Sequence, residues 1–153
     1  MPAEHRQGLL DTNVLILRRW IAPESLPDEL AISAVTLAEL SAGVHLVRGD
    51  DADARAERAR RTDVLQRVEN QFDPIAFDAE AARAFGRISA AVQDAGRTPR
   101  RRVADLMIAA VAAAQGLPLY TTNPDDFTGL DGIVDVISIR RPETGLADGP
   151  GDG

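Results

Sequence analysis

Leu9-Leu10-Asp11-Thr12-Asn13-Val14-Leu15-Ile16-Leu17 sets one carboxylate inside a run that otherwise has the composition of a protein core. A charged Asp taken out of water costs roughly several kcal/mol unless it is paired, hydrogen-bonded or bound to a metal. Two local roles suit Asp11: the cap of a helix starting at Thr12 or Asn13, or a plain turn residue. A third role is functional. A strand ending at Leu10 would deliver the carboxylate into the crevice beyond the strand ends, where open α/β sheets bind their ligands. Taken alone, the stretch favours the local roles.

Outward from it, apolar segments of two kinds alternate along the chain. Short strand-like runs fall at 8–10, 30–33, 73–77, 117–121 and 134–139, and helical patterns at 14–20, 37–47, 50–70, 78–93 and 102–116. The third helical segment is highly charged, with Ala56, Ala59, Val64, Leu65 and Val68 as its expected inner face. Asp78 suits the N-cap of the fourth, and Gly116 is the expected stop of the fifth. Gly96-Arg97-Thr98-Pro99 breaks the chain between them. Strands separated by helices imply βαβ units, hence an α/β fold with a mainly parallel sheet covered on both faces. The length of 153 residues suits one domain that buries about 70% of its unfolded surface. It is expected over residues 1–141, with a Gly-, Pro- and Asp-rich tail at 142–153 that frays.

Composition removes several chemistries. With no cysteine, disulfide scaffolds, thiol nucleophiles and Cys-ligated zinc are excluded. All 17 basic residues are arginine, which matches a G+C-rich coding preference and is no evidence of RNA binding in itself. The absence of lysine has a sharper consequence. It excludes P-loop NTPases, phosphoaspartate receiver domains and haloacid-dehalogenase-type phosphatases, which lean on a catalytic lysine; the last two were the rivals for an Asp at a strand end. No apolar run approaches the roughly 20 residues that span a bilayer, and the first residues lack a signal-peptide pattern, so a cytoplasmic protein without membrane contact is expected. A net charge of −7 argues against general nucleic-acid binding, so any such contact must be local or carried by metal ions.

Four acids fall on one expected rim: Asp11 after the first strand, Glu39 in the helix after the second, Asp105 in the helix before the fourth, and Asp126 just past the fourth. Each has an innocent role. Thr36-Leu37-Ala38-Glu39 matches a capping box, Asp105 suits the first turn of a helix, and Asp126 suits a turn. Together they are harder to dismiss, because clustered carboxylates repel one another unless they gain a cation. Oxygen ligands suit Mg²⁺ or Mn²⁺, and such ions support phosphodiester hydrolysis without lysine, cysteine or histidine. His5 lies near the terminus, and His45 suits packing or surface roles.

The chain resembles the PIN-domain ribonucleases, specifically the VapC-type toxins of toxin–antitoxin pairs. The resemblance rests on Leu10-Asp11-Thr12-Asn13-Val14-Leu15-Ile16, Ile32-Ser33-Ala34-Val35-Thr36-Leu37-Ala38-Glu39-Leu40, Ala104-Asp105-Leu106-Met107-Ile108-Ala109-Ala110, and Leu119-Tyr120-Thr121-Thr122-Asn123-Pro124-Asp125-Asp126-Phe127. It implies a three-layer α/β/α sandwich and a catalytic Mg²⁺ site (Mn²⁺ substituting) of Asp11, Glu39, Asp105 and Asp126. It also implies support of that site by Thr12 and Asn123, and endonucleolytic cleavage of tRNA or rRNA that arrests translation. Asp126 is chosen over its neighbour Asp125 because it precedes the aromatic Phe127. A homodimer, a cognate VapB-type antitoxin and contact with DNA only through that antitoxin are further implications. Arg97, Arg100, Arg101 and Arg102 would form a local RNA-binding patch just before Asp105, offsetting the unfavourable placement of cations at a helix start. The competing function is a catalytically weak PIN-fold module acting with an antitoxin in transcriptional autoregulation. The presence of all four acids favours the enzyme.

Overall fold

The computed structural model describes residues 7–97 and 102–143. Its elements run β1 (Gln7–Leu10), α1 (Thr12–Leu17), β2 (Glu29–Ala31), α2 (Ala34–His45), α3 (Ala52–Gln71), α4 (Ala79–Asp94), α5 (Val103–Gln115), β3 (Leu119–Thr121) and β4 (Val136–Ser138). Single 3₁₀ turns occupy Arg18–Trp20, Pro23–Ser25 and Pro124–Phe127. The four strands form one parallel sheet in the order β2-β1-β3-β4, with Leu9 opposite both Ala31 and Leu119, and Tyr120 opposite Ile137.

Leu9 and Leu10 are both fully buried. Successive strand side chains point to opposite faces, so the two leucines enter different cores. Leu9 packs with Ala84, Ile88 and Val92 of α4 and Leu106, Ile108 and Val111 of α5. Leu10 packs with Val14 and Leu15 of α1, Val68 of α3, Tyr120 and Ile139. Burial on both faces is why the strand reads as an unbroken apolar run, and it makes the molecule the expected three-layer α/β/α sandwich. Gly8 serves the same packing, because a Cβ there would stand 2.4 Å from the Tyr120 ring. Gly116 ends α5 in the left-handed conformation, φ 65°, and Asp78 caps α4 by accepting from the Ala81 amide at 2.9 Å.

Three expectations are corrected. Residues 73–77 do not form a strand: one parallel bridge joins Ile75 to Ser33, through Ile75 N–H to the Ile32 carbonyl and Ala34 N–H to the Ile75 carbonyl. The partner backbone leaves extended geometry after Ser33, where α2 begins at Ala34, so the pairing ends after one bridge. The inner face of α3 is Ala54 and Val68, with Val64 and Leu65 half-buried, while Ala56 and Ala59 face solvent. Finally, α2 starts at Ala34 with Ser33 as its cap, the Ser33 hydroxyl accepting from the Val35 amide at 2.9 Å. Glu39 therefore lies beyond the first turn and belongs to no capping box.

Candidate active site

The connection from β1 leads to β2 on one side, while β3 pairs with β1 on the other and passes on to β4. The carboxyl ends of β1 and β3 thus flank the point where strand order reverses, the position at which open parallel sheets form their crevice. Every described polar side chain that is buried lies around this point: Asp11, Ser33, Thr36 and Thr121.

Asp11 stands at the end of β1, only 3% exposed. It is the N-cap of α1, its Oδ1 accepting from the Thr12 amide at 2.9 Å. Its Oδ2 accepts from the Thr121 hydroxyl at the end of β3, also at 2.9 Å. The capping role and the crevice role are therefore the same placement. Burial pushes the Asp11 carboxyl up to about 6, the Thr121 bond opposes the rise, and the nearby charges of Asp105 and Glu39 add to it.

Glu39 is the most exposed of the acids around Asp11. Its Oε1 accepts from the Thr12 hydroxyl at 2.8 Å, and that hydroxyl also meets the buried Thr36 hydroxyl at 2.9 Å. Desolvation raises Glu39, with the Thr12 bond opposing and the Asp105 charge adding. Asp105 is half-buried in the first turn of α5. Desolvation raises it as well, partly offset by the Arg102 guanidinium. Asp11 therefore feels the charges of Asp105 and Glu39 across the crevice, and Glu39 feels that of Asp105.

The fourth acid is arranged differently. Asp126 lies in the 3₁₀ turn Pro124–Phe127 and forms an ion pair with Arg102, which precedes α5. Asp125 is exposed and contributes its backbone, the carbonyl accepting from the Arg97 guanidinium and the Thr128 hydroxyl. Of the adjacent pair, Asp126 is the one whose carboxylate pairs with Arg102. Arg100 and Arg101 lie outside the described residues. Thr12 reaches Asp11 through its amide and Glu39 through its hydroxyl. Asn123 contributes its backbone N–H, donating to the Thr121 hydroxyl at 3.0 Å.

The residues that sequence reasoning missed are Thr121 and Thr36. Thr121 links the carboxylate of Asp11 to the start of the next turn, and Thr36 fixes Thr12. The signal available was a hydroxyl closing a core strand in Leu119-Tyr120-Thr121, where an apolar side chain would be expected.

The donor set is all oxygen, which suits a hard cation. Among the described residues, no three His, Asp or Glu side chains converge tightly enough to clasp a metal ion between them. Mg²⁺ does not need such a clasp, since it is usually held by one or two carboxylates and keeps several waters. Burial raises Asp11, Glu39 and Asp105, and neighbouring carboxylate charge adds to the rise of Asp11 and Glu39; a divalent cation would relieve both, so these residues fit one.

Comparison with known proteins agrees with this architecture. The PIN domain profile matches residues 9–133. Ribonuclease VapC5 of Mycobacterium tuberculosis (strain ATCC 25618 / H37Rv) is 39% identical over 136 residues, covering 87% of this chain and 94% of that protein. The crystal structure of VapBC-5, a member of the VapBC family of toxin-antitoxin systems from Mycobacterium tuberculosis, superposes with a TM-score of 0.69 at 38% identity, covering 89% of this chain and 99% of that one. DNA-bound VapBC from Salmonella typhimurium gives a TM-score of 0.66 at 25% identity, covering 85% of this chain and 96% of that one. With the motifs in order, the rim carboxylates assembled and the match spanning most of both sequences, the chain belongs to the PIN-domain family, in its VapC branch.

Proposed function

We propose that this protein is a metal-dependent endoribonuclease, the toxin of a type II toxin–antitoxin pair, which cleaves tRNA or rRNA and so arrests translation. The observation that carries this reading is the assembly of Asp11, Glu39 and Asp105 at the strand-order reversal, each carboxyl raised by burial and two of them by the others' charge. A fold gains nothing from such repulsion unless a cation is recruited.

Asp11, Asp105 and Glu39, with Asp126, would hold Mg²⁺ or Mn²⁺, and the bound ion would supply an activated water and neutralise charge on the leaving oxygen. The chain's own residues prepare that site. Thr12 N–H and the Thr121 hydroxyl fix both oxygens of Asp11, so it enters the crevice in one orientation. Thr12 holds one oxygen of Glu39 and leaves the other free. Arg97, Arg100, Arg101 and Arg102 would meet RNA phosphates beside the acids, a local positive patch on an acidic protein. The protein would pair as a homodimer, and a VapB-type antitoxin would block the acidic crevice with a basic side chain, DNA being contacted only through that antitoxin. VapBC complexes among the structural relatives, two of them DNA-bound, support the pairing with an antitoxin.

The test is cleavage of total RNA by the purified protein, with RNA ends sequenced. Cleavage is expected with Mg²⁺ or Mn²⁺, lost in EDTA and reduced to background in Asp11→Asn. Cleavage that persists in EDTA or in Asp11→Asn overturns the metal-dependent reading.

A further inference from the structure

Arg102 occupies a position that neither capping nor packing accounts for. It is the residue before α5, with φ −138° and ψ 38°, and its side chain makes no capping bond to the helix. A cation at a helix N-terminus is electrostatically disfavoured. Its guanidinium lies instead on the Asp126 carboxylate, across from α5 in the turn after β3, with the Arg side chain 44% exposed and the Asp side chain 23% exposed. Asp105 is in the first turn of the same helix, three residues on from Arg102. One guanidinium thus holds Asp126, the acid of the four that lies in the turn after β3. The turn that carries Asp126 is also held at its backbone, where Arg97 donates to the Asp125 carbonyl.

We infer that Arg102 is a built-in stand-in for the metal: in the metal-free protein it neutralises Asp126, and a divalent cation must displace it to recruit that acid. Arg102 is then a positioning residue that competes with the ion, not a ligand and not merely a surface pair. The inference rests on the metal-dependent reading above and adds a claim that this reading does not contain. Metal affinity is held below what the four acids alone would give, and the deficit belongs to one ion pair.

The experiment is calorimetric titration of the full chain with Mn²⁺, without RNA, in wild type, Arg102→Gln, Arg102→Lys, Asp126→Asn and the double variant Arg102→Gln/Asp126→Asn. Arg102→Gln is expected to bind Mn²⁺ about threefold to fivefold more tightly, the factor that corresponds to losing a partly exposed ion pair. Arg102→Lys keeps the charge and stays near wild type. In the Asp126→Asn background the Arg102→Gln change has no further effect, because the competition needs both partners. Melting in EDTA gives a second readout: Arg102→Gln lowers the midpoint there and widens the gain on adding Mn²⁺. An unchanged or weakened affinity in Arg102→Gln overturns the inference while leaving the metal site standing. Equal tightening in the Asp126→Asn background also overturns it, since loss of a distant positive charge then explains the effect. If wild type binds no Mn²⁺, the metal-dependent reading falls and the inference falls with it.

Discussion

Asp11 carries two demands on one carboxylate. Its hydrogen bonds to Thr12 N–H and the Thr121 hydroxyl favour the charged form, and its burial among Asp105 and Glu39 disfavours it more. The carboxyl titrates near 6 in the folded chain against 3.8 for an ordinary Asp. The folded protein therefore holds a proton that the unfolded chain has released throughout that window. Stability from this group is present below about pH 4 and is lost as pH rises through about 6, amounting to about 3 kcal/mol. Melting in EDTA from pH 4 to 7 should show wild type losing stability relative to Asp11→Asn as pH rises, with the difference levelling off above about 6. A parallel pair of curves would mean that Asp11 does not feel the burial described. Asp105 is raised in the same direction, so Asp105→Asn should melt higher than wild type without metal. Removing about 1 kcal/mol of unfavourable charge corresponds to roughly 2–4 °C in a domain of this size. Mg²⁺ should stabilise wild type and do little for the variant, because a ligand raises stability only where its site exists. A variant that melts lower and keeps its Mg²⁺ response would make Asp105 a plain helix-start residue.

At the scale of elements, the crevice depends on β1 and β3 lying side by side, since Thr121 and Asp11 meet only in that pairing. Gly8 permits the pairing, with Tyr120 lying where a Cβ would be. Gly8→Ala should therefore cost about 1–3 kcal/mol as an overpacking change and lower the melting point by several degrees. Gly86 is a contrasting control: it is exposed in α4 and nothing lies within 4 Å of an added Cβ. Gly86→Ala should stabilise by about 0.5–1 kcal/mol, since a mid-helix glycine is weaker than alanine by that amount. Thermal melts of the two variants check both signs. If Gly8→Ala were neutral, the Tyr120 ring would have to be free to move off β1.

For the molecule as a whole, a net charge of −7 repels RNA, and attraction has to come from a small positive region. The affinity of an RNA oligonucleotide should consequently fall only gently with salt, with a slope set by few phosphate contacts. The combined variant Arg97→Ala/Arg100→Ala/Arg101→Ala should shallow that slope by about 0.7 for each contact removed from single-stranded RNA. An unchanged slope across that variant would assign the arginine segment to the surface alone. The sequence by itself determined a great deal at this scale. Short unbroken apolar runs and helical patterns in apolar residues marked the alternation of strands and helices, because burial acts on each side chain locally. The order of the four acidic motifs marked the rim for the same reason: a residue that follows a strand lies at that strand's end wherever the strand goes. Local pattern failed where a partner elsewhere in the chain decided the outcome. Residues 73–77 are held to one bridge because the neighbouring chain turns into α2 at Ala34. Ser33, not Thr36, caps α2, and Thr36 turns inward to Thr12 instead. Thr121 orients Asp11 from 110 residues away, and Asp126 meets Arg102 across a helix start. Those contacts exist only once strand order and register are set, since hydrogen bonds and ion pairs act over a few ångströms of space rather than along the sequence.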